Sequence, residues 1–123
     1  MLRRSLVAAI VVAVSVALGA SASARSDALR LKGTVGPGFT ISLTQNGHKV
    51  RTLKAGTYTI VVADKASIHN FVLEKERGGK FERALTSVTF VGTKTTRVKL
   101  TAGKWKFYCA PHESTMHGEF TVR

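Results

Sequence analysis

Hydrophobic and polar residues alternate at period 2 through short segments of the chain from residue 29 onward. In the first two segments the apolar positions are Leu29, Leu31 and Val35, followed by Phe39, Ile41 and Leu43. Alternation at this period is typical of a β-strand with one buried face. The sequence Gln45-Asn46-Gly47-His48 follows the second segment and predicts a tight turn.

Six further segments of the chain have the composition of short strands. They are Val50–Leu53, Tyr58–Asp64, Phe71–Lys75, Thr86–Val91, Thr95–Leu100 and Trp105–Cys109. Glycine-containing breaks separate many of them, and no stretch has the apolar spacing of an amphipathic helix. Seven or eight short strands at this spacing predict an all-β fold, a Greek-key β-sandwich or barrel of mainly antiparallel strands.

The first 24 residues have a different pattern, that of an export signal. Arg3 and Arg4 precede an apolar run over residues 6–20, and Ala22-Ser23-Ala24 has the small residues of a cleavage site. A retained membrane anchor is the alternative, but the apolar run is shorter than the ~20 residues that span a bilayer. We therefore expect a signal peptide over 1–24, a mature domain over 25–123, and a periplasmic or extracellular location.

The mature chain is strongly basic. Without Arg3 and Arg4 it has 17 Lys and Arg against 7 Asp and Glu, a net charge of +10. Such a charge attracts anionic partners, among which export makes nucleic acid the least expected. The basic residues are dispersed along the chain, as they are on a solvated surface. With 123 residues, 44% of them hydrophobic, the chain has room for one small domain.

The alternation also indicates which polar residues point inward. Cys109 shares its face with Trp105 and Phe107, and it is the single cysteine of the chain, so no internal disulfide forms. His69 shares its face with Phe71 and Leu73. Counting back from the apolar positions of the last strand, Phe120 and Val122, places Met116 inside and His117 outside.

One loop, residues 108–118, combines a thiol, an imidazole and a thioether. Cys109 ends a strand, a short loop can return His112 and Met116 to the same point, and His69 can arrive from another strand end. A thiolate and a thioether with two imidazoles favour copper, and two histidines, a cysteine and a distant methionine form a blue-copper site. Zinc is the alternative at such a site. Taken singly, Cys109, His69 and Met116 could also be ordinary core residues.

The chain resembles the cupredoxins, the blue copper proteins related to plastocyanin and azurin, over essentially the whole mature part. The matching motifs are His69-Asn70-Phe71 and the set Cys109, His112, Met116 and Gly118. The resemblance implies a Greek-key sandwich with one copper ion, His69, Cys109 and His112 as equatorial ligands, and Met116 as the axial ligand. It also implies that Asn70 holds the two ligand loops together. His117 is the alternative axial residue.

The export signal and the copper site together predict an exported carrier of single electrons rather than an enzyme, and we expect it to be a monomer. The expected partner is a redox protein with an acidic surface, and His112 is the expected exit for the electron. A protein that stores or delivers copper is the alternative function, and a structural sandwich without metal is a third. A cysteine–histidine hydrolase is not favoured, because an inward Cys109 beside Met116 is a poor nucleophile arrangement.

Overall fold

The computed structural model describes residues 9–14 and 29–123. Most of the expected signal peptide, with its cleavage site after Ala24, lies outside these ranges, and that assignment stays a prediction. Residues 9–14 are exposed and have no regular secondary structure. Within the two described ranges, no helix has the length and apolar character needed to cross a bilayer.

The described chain forms ten strands and one short 3₁₀ turn. The strands are β1 Arg30–Val35, β2 Ile41–Gln45, β3 His48–Lys49, β4 Thr52–Leu53, β5 Gly56–Asp64, β6 Val72–Arg77, β7 Phe81–Ala84, β8 Gly92–Leu100, β9 Gly103–Tyr108 and β10 His117–Val122, and the 3₁₀ turn is Ala110–His112. The all-β prediction is confirmed. The count exceeds the expected seven or eight because the segment around Val50 divides into the two-residue strands β3 and β4.

The strands form two five-stranded sheets that enclose one hydrophobic core. The first sheet has the order β3-β2-β1-β5-β8 and the second the order β4-β10-β9-β6-β7. Most neighbours are antiparallel, but β1 pairs with β5 and β10 pairs with β4 in parallel. The chain crosses to the second sheet at β4 and then returns to the first sheet, where β5 lies beside β1. The domain is therefore mainly antiparallel, as expected, with two parallel pairs that the sequence pattern did not predict.

The alternation in the sequence accounts for the core between the sheets. The largest fully buried side chains include Trp105, Phe71, Leu31, Leu43, Ile60, Leu73, Leu85, Leu100 and Met116. Phe71 stacks on Phe107 with ring centroids 5.7 Å apart, so residues from β9 and from the segment before β6 interlock. Asn46 and Gly47 have the positive φ angles of a tight hairpin turn, which confirms the predicted turn between β2 and β3.

The predicted strand Thr86–Val91 is wrong, and β7 lies earlier, over Phe81–Ala84. The Thr86 hydroxyl accepts a hydrogen bond from the backbone N–H of Phe71 at 2.9 Å. The Leu85 N–H donates to the Phe71 carbonyl at 2.7 Å, and the Phe90 N–H donates back to the Ser87 carbonyl at 3.2 Å. This local bonding turns the chain, so the alternating residues after Thr86 do not extend the sheet.

Candidate metal centre

His69 reaches the site from the loop between β5 and β6. It lies two residues before Phe71, whose ring is part of the core, and only 1% of its surface is exposed. This position confirms the inward orientation that the alternation predicted. A histidine is rarely buried unless a hydrogen bond or a metal satisfies its ring nitrogens. Its Nδ1 atom faces the loop that follows β9.

Cys109 follows β9 directly, and the chain then folds back over it. The Cys109 N–H donates to the Met116 carbonyl at 3.0 Å, so the two ends of the loop are bonded to each other. Within the loop, the His112 N–H donates to the Cys109 carbonyl at 3.1 Å and the Met116 N–H donates to the His112 carbonyl at 2.8 Å. Pro111 lies in the first turn of the short 3₁₀ segment, where its missing N–H costs no hydrogen bond. This folding returns the His112 ring to the Cys109 thiol.

Three donor atoms converge at this end of the sandwich. The Nδ1 atoms of His69 and His112 lie 3.0 Å apart. The Cys109 Sγ lies 3.6 Å from Nδ1 of His69 and 3.7 Å from Nδ1 of His112. With metal bonds of about 2.0 Å to nitrogen and about 2.3 Å to sulfur, two ligands of one ion lie at most about 4.3 Å apart. The separations therefore fit one ion bound by all three atoms.

The fourth predicted ligand, Met116, is fully buried in the core beside this loop. His117, the alternative, is exposed, and its Nδ1 bonds to the Glu113 carbonyl oxygen at 2.8 Å. It begins β10, where it pairs with Tyr108. The inside and outside positions expected for these two residues are confirmed. Their burial favours Met116 over His117 as the axial residue, and that role stays a prediction.

Asn70 joins the two loops that carry the donor atoms. Its Oδ1 accepts a hydrogen bond from the Ala110 N–H at 2.8 Å, and the side chain is buried. Ala110 follows Cys109 directly, so the bond fixes the position of the cysteine relative to His69. The contact agrees with the role that the sequence resemblance implied for this residue.

Replacing Asn70 by alanine should therefore destabilise the protein even without metal. The Ala110 N–H would lose its hydrogen-bond partner, and we expect the free energy of unfolding to fall by about 0.5–1.5 kcal/mol. Ser114→Ala is the control, because Ser114 is an exposed residue of the same loop. Chemical denaturation of the metal-free proteins measures both changes, and an equal effect of the two substitutions would contradict the assigned role.

The sequence patterns missed the role of Phe39. This residue was placed in the second strand, but β2 begins at Ile41, and the Phe39 ring is 55% exposed. The ring packs edge-on against both imidazoles, with centroids 5.1 Å from His69 and 4.9 Å from His112. The preceding Gly36-Pro37-Gly38 was the available signal, because such a bend ends a strand. Phe39 covers the solvent side of the two histidines.

Tyr108, the last residue of β9, is buried, with 7% of its surface exposed. Its hydroxyl bonds to the Glu82 carboxylate, and the Lys106 ammonium lies 5.2 Å from its ring centroid. Burial, followed by the bond to Glu82, raises the pKa of Tyr108 above its usual value. The pKa of Lys106 is also raised, chiefly by its hydrogen bond to Glu113 in the loop. These contacts hold the outer side of the Cys109 strand in place.

The family model of copper-binding proteins of the plastocyanin/azurin type matches residues 38–123, the range that contains all four predicted ligands. The chain belongs to this family. Family membership and the donor set of His69, Cys109 and His112 together identify copper as the metal of the site. The zinc alternative and the metal-free sandwich are thereby disfavoured.

Solved structures of rusticyanin share the fold. One structure of the copper protein rusticyanin is 15% identical, with a TM-score of 0.57 and coverage of 76% of both chains. The NMR structure of reduced rusticyanin is 19% identical, with a TM-score of 0.53 and the same coverage. Rusticyanin from Thiobacillus ferrooxidans is 20% identical, with a TM-score of 0.50 over 76% of both chains. Comparison with curated proteins gives no sequence match.

Proposed function

We propose that this plastocyanin/azurin family member is an exported electron carrier with one copper ion held by His69, Cys109, His112 and Met116. The observation that supports it is the convergence of three donor atoms, from a histidine loop and a cysteine loop, at one end of a β-sandwich. When bound, copper supplies a one-electron couple. The protein supplies a thiolate, two imidazoles and a thioether, a set typical of blue-copper sites.

The residues around the site suit a carrier because they hold the donors still. Asn70 ties the histidine loop to Ala110, and the Cys109 N–H is bonded to the Met116 carbonyl. Both bonds connect parts of the site that are rooted in the core. Ligands that move little between oxidation states keep the cost of reorganisation low, which speeds electron transfer. If all four proposed ligands bind the ion, no position is left for a substrate, which favours a carrier over an enzyme.

His112 is the route by which we expect electrons to leave. It is half-exposed, whereas His69 and Cys109 are buried. Phe39, Pro111 and Ile68 are exposed close to the two histidine loops, so a partner can approach His112 across an apolar surface. We propose a redox protein with an acidic surface as that partner, because the mature chain has a net charge of +10.

Copper retention distinguishes electron transfer from copper delivery. A site with a thiolate, a thioether and two imidazoles on a stiff scaffold should hold Cu(I) and Cu(II) tightly. We expect copper to remain bound through repeated reduction and reoxidation in the presence of a strong Cu(I) chelator, measured by metal analysis after each cycle. Transfer of copper to the chelator on reduction, with slow electron exchange, would favour the delivery function.

Two substitutions test the axial ligand. Met116→Leu should keep the visible colour of the Cu(II) form and shift the reduction potential, because an axial residue tunes the potential without belonging to the trigonal plane. His117→Ala should change neither property much, since His117 is exposed and bonded to the Glu113 carbonyl. Protein-film voltammetry measures both potentials. A larger shift in His117→Ala would transfer the axial role to His117.

Export is the remaining part of the proposal, and it is supported by the basic, apolar and small-residue pattern of residues 1–24. Cleavage after Ala24 would leave a mature chain that begins at Arg25. Amino-terminal sequencing of the protein recovered from the exported fraction tests this directly. An intact amino terminus in a membrane fraction would instead indicate a retained anchor.

A further inference from the structure

The outer face of the first sheet carries basic side chains and no acidic one. We call the exposed residues Arg30, Lys32, Lys49, Arg97 and Lys99 the cationic face. The strand register places Lys32 opposite Thr44, which lies opposite Lys49, and places Arg30 opposite Thr59, which lies opposite Arg97. Paired residues of neighbouring strands point to the same side of a sheet. The five charges therefore share one surface, with hydroxyl side chains between them.

The acidic residues of the described chain lie elsewhere. Glu74, Glu76, Glu82 and Glu119 are on strands of the second sheet, and Glu113 is in the loop before β10. Asp64 ends β5 but is buried. Both described ion pairs, Lys104–Glu119 and Lys106–Glu113, also belong to the second sheet and that loop. Within residues 29–123, no member of the cationic face has an ion-pair partner, so the face presents its full charge to solvent.

A shallow concavity of about 510 Å³ lies within the cationic face. Its lining includes Arg30, Lys32, Thr34 and Ser42. Guanidinium, ammonium and hydroxyl groups are the donors that bind phosphate oxygens. The face thus offers hydrogen-bond donors as well as charge to an anion carried on a surface.

The cationic face lacks the apolar centre of a protein interface. Large exposed apolar residues in the 29–123 range are Leu29, Phe39, Ile68 and Val91, and none of them has an outward position on a strand of this sheet. Val61 does point outward but is half-buried. Stable protein interfaces have an apolar centre depleted of charged residues. A charged face without an apolar centre is better suited to bind a partner whose own surface is densely anionic.

We propose that the cationic face binds the surface of a bilayer that contains anionic phospholipids, with headgroup phosphates as the recognised groups. The loops with His69 and His112 lie at one end of the sandwich, whereas the cationic face runs along its side. Contact through this face would leave the metal end open to a partner on the same membrane. The inference goes beyond the proposed function and does not require copper, so either idea can fail alone.

The test compares binding of the full-length chain to vesicles of phosphatidylcholine alone and to vesicles with about 30% phosphatidylglycerol. On the anionic vesicles, each basic residue near the membrane surface contributes about 1 kcal/mol to the binding free energy. Any contribution from the apolar amino terminus is common to all variants. The double variant Lys32→Gln/Arg97→Gln removes two charges of the cationic face. The matched control Arg77→Gln/Lys104→Gln removes two charges that lie opposite each other on β6 and β9, in the second sheet. Both variants have the same net charge.

We expect phosphatidylglycerol to strengthen binding of the wild-type chain, and added salt to reverse that gain. The cationic-face variant should bind the anionic vesicles roughly 25-fold more weakly, and the control should change little. Equal losses in the two variants would mean that total charge alone attracts the protein, and would overturn the proposal. The proposal would also be overturned if the cationic-face variant lost binding to immobilised poly-L-glutamate but kept its affinity for the vesicles. That result would identify an acidic protein as the occupant.

Discussion

Replacing Cys109 by serine is expected to abolish the intense visible colour of the Cu(II)-loaded protein. The colour of such a site comes from charge transfer out of a cysteine thiolate, and a serine hydroxyl is a hard oxygen donor without that transition. Cys109 is the only cysteine of the chain, so no other thiol can replace it. Absorption and paramagnetic resonance spectra of the two proteins, loaded with equal copper, measure the change.

The same experiment has an internal check on folding. Serine is close in size to cysteine, so the metal-free Cys109→Ser protein should keep the wild-type circular dichroism spectrum. Met116→Leu serves as the matched control, because it also changes a buried sulfur side chain of the same loop but should keep the colour. A colourless wild-type Cu(II) complex, or a coloured serine variant, would contradict a copper–thiolate bond at Cys109.

The strand pattern was sufficient to predict the inward direction of both Cys109 and His69. Cys109 directly follows β9, whose alternation continues to it through Phe107. His69 lies in the loop before β6, and it is buried like Phe71, with which it shares parity, although burial does not alternate over residues 69–73. The loop between Cys109 and Met116 is short and bonded at both ends, so few conformations can close it. Spacing along the sequence was therefore enough to predict that most of the donor set lies together.

Other features depend on contacts between distant segments, which local patterns do not carry. The parallel pairing of β1 with β5 depends on the chain crossing to the second sheet and back. The hydrogen bond from the Phe71 N–H to the Thr86 hydroxyl helps to turn the chain at the start of the predicted strand Thr86–Val91. Phe39 contacts the two histidines only because three loops meet at one end of the sandwich. In each case contacts between distant segments determined the structure, although the local alternation is present in the sequence.

The two sheets also differ in a way that composition hides. The net charge alone does not show where the charges lie. Glu119 of the second sheet and Glu113 of the loop before β10 neutralise part of that side of the protein by pairing with Lys104 and Lys106. The first sheet has no such partners among the described residues, and its strand register concentrates Arg30, Lys32 and Arg97 on one side. The protein can therefore contact an anionic surface through the outer face of the first sheet and a redox partner through another part of the molecule.

Gly118→Ala should be the most destabilising substitution close to the metal loop. Gly118 lies opposite Phe107 in the β9–β10 pair. A Cβ atom added to it would lie 2.8 and 2.9 Å from Cε1 and Cε2 of the Phe107 ring, and closer still to Cζ. The ring cannot easily move away, because it is buried and stacked on Phe71. Glycine is required here by the space that the aromatic ring occupies.

We expect this overpacking to lower the free energy of unfolding by about 3 kcal/mol. For a domain of this size, such a change lowers Tm by roughly 10–20 °C. Because Phe107 lies two residues before Cys109, the variant should also bind copper more weakly than the wild-type protein. Gly56→Ala is the matched control, since this strand glycine has no atom closer than 4.0 Å to an added Cβ. Thermal unfolding of the metal-free proteins compares the two glycines, and a Gly118→Ala protein as stable as the Gly56→Ala protein would show that the Phe107 ring can be displaced at little cost.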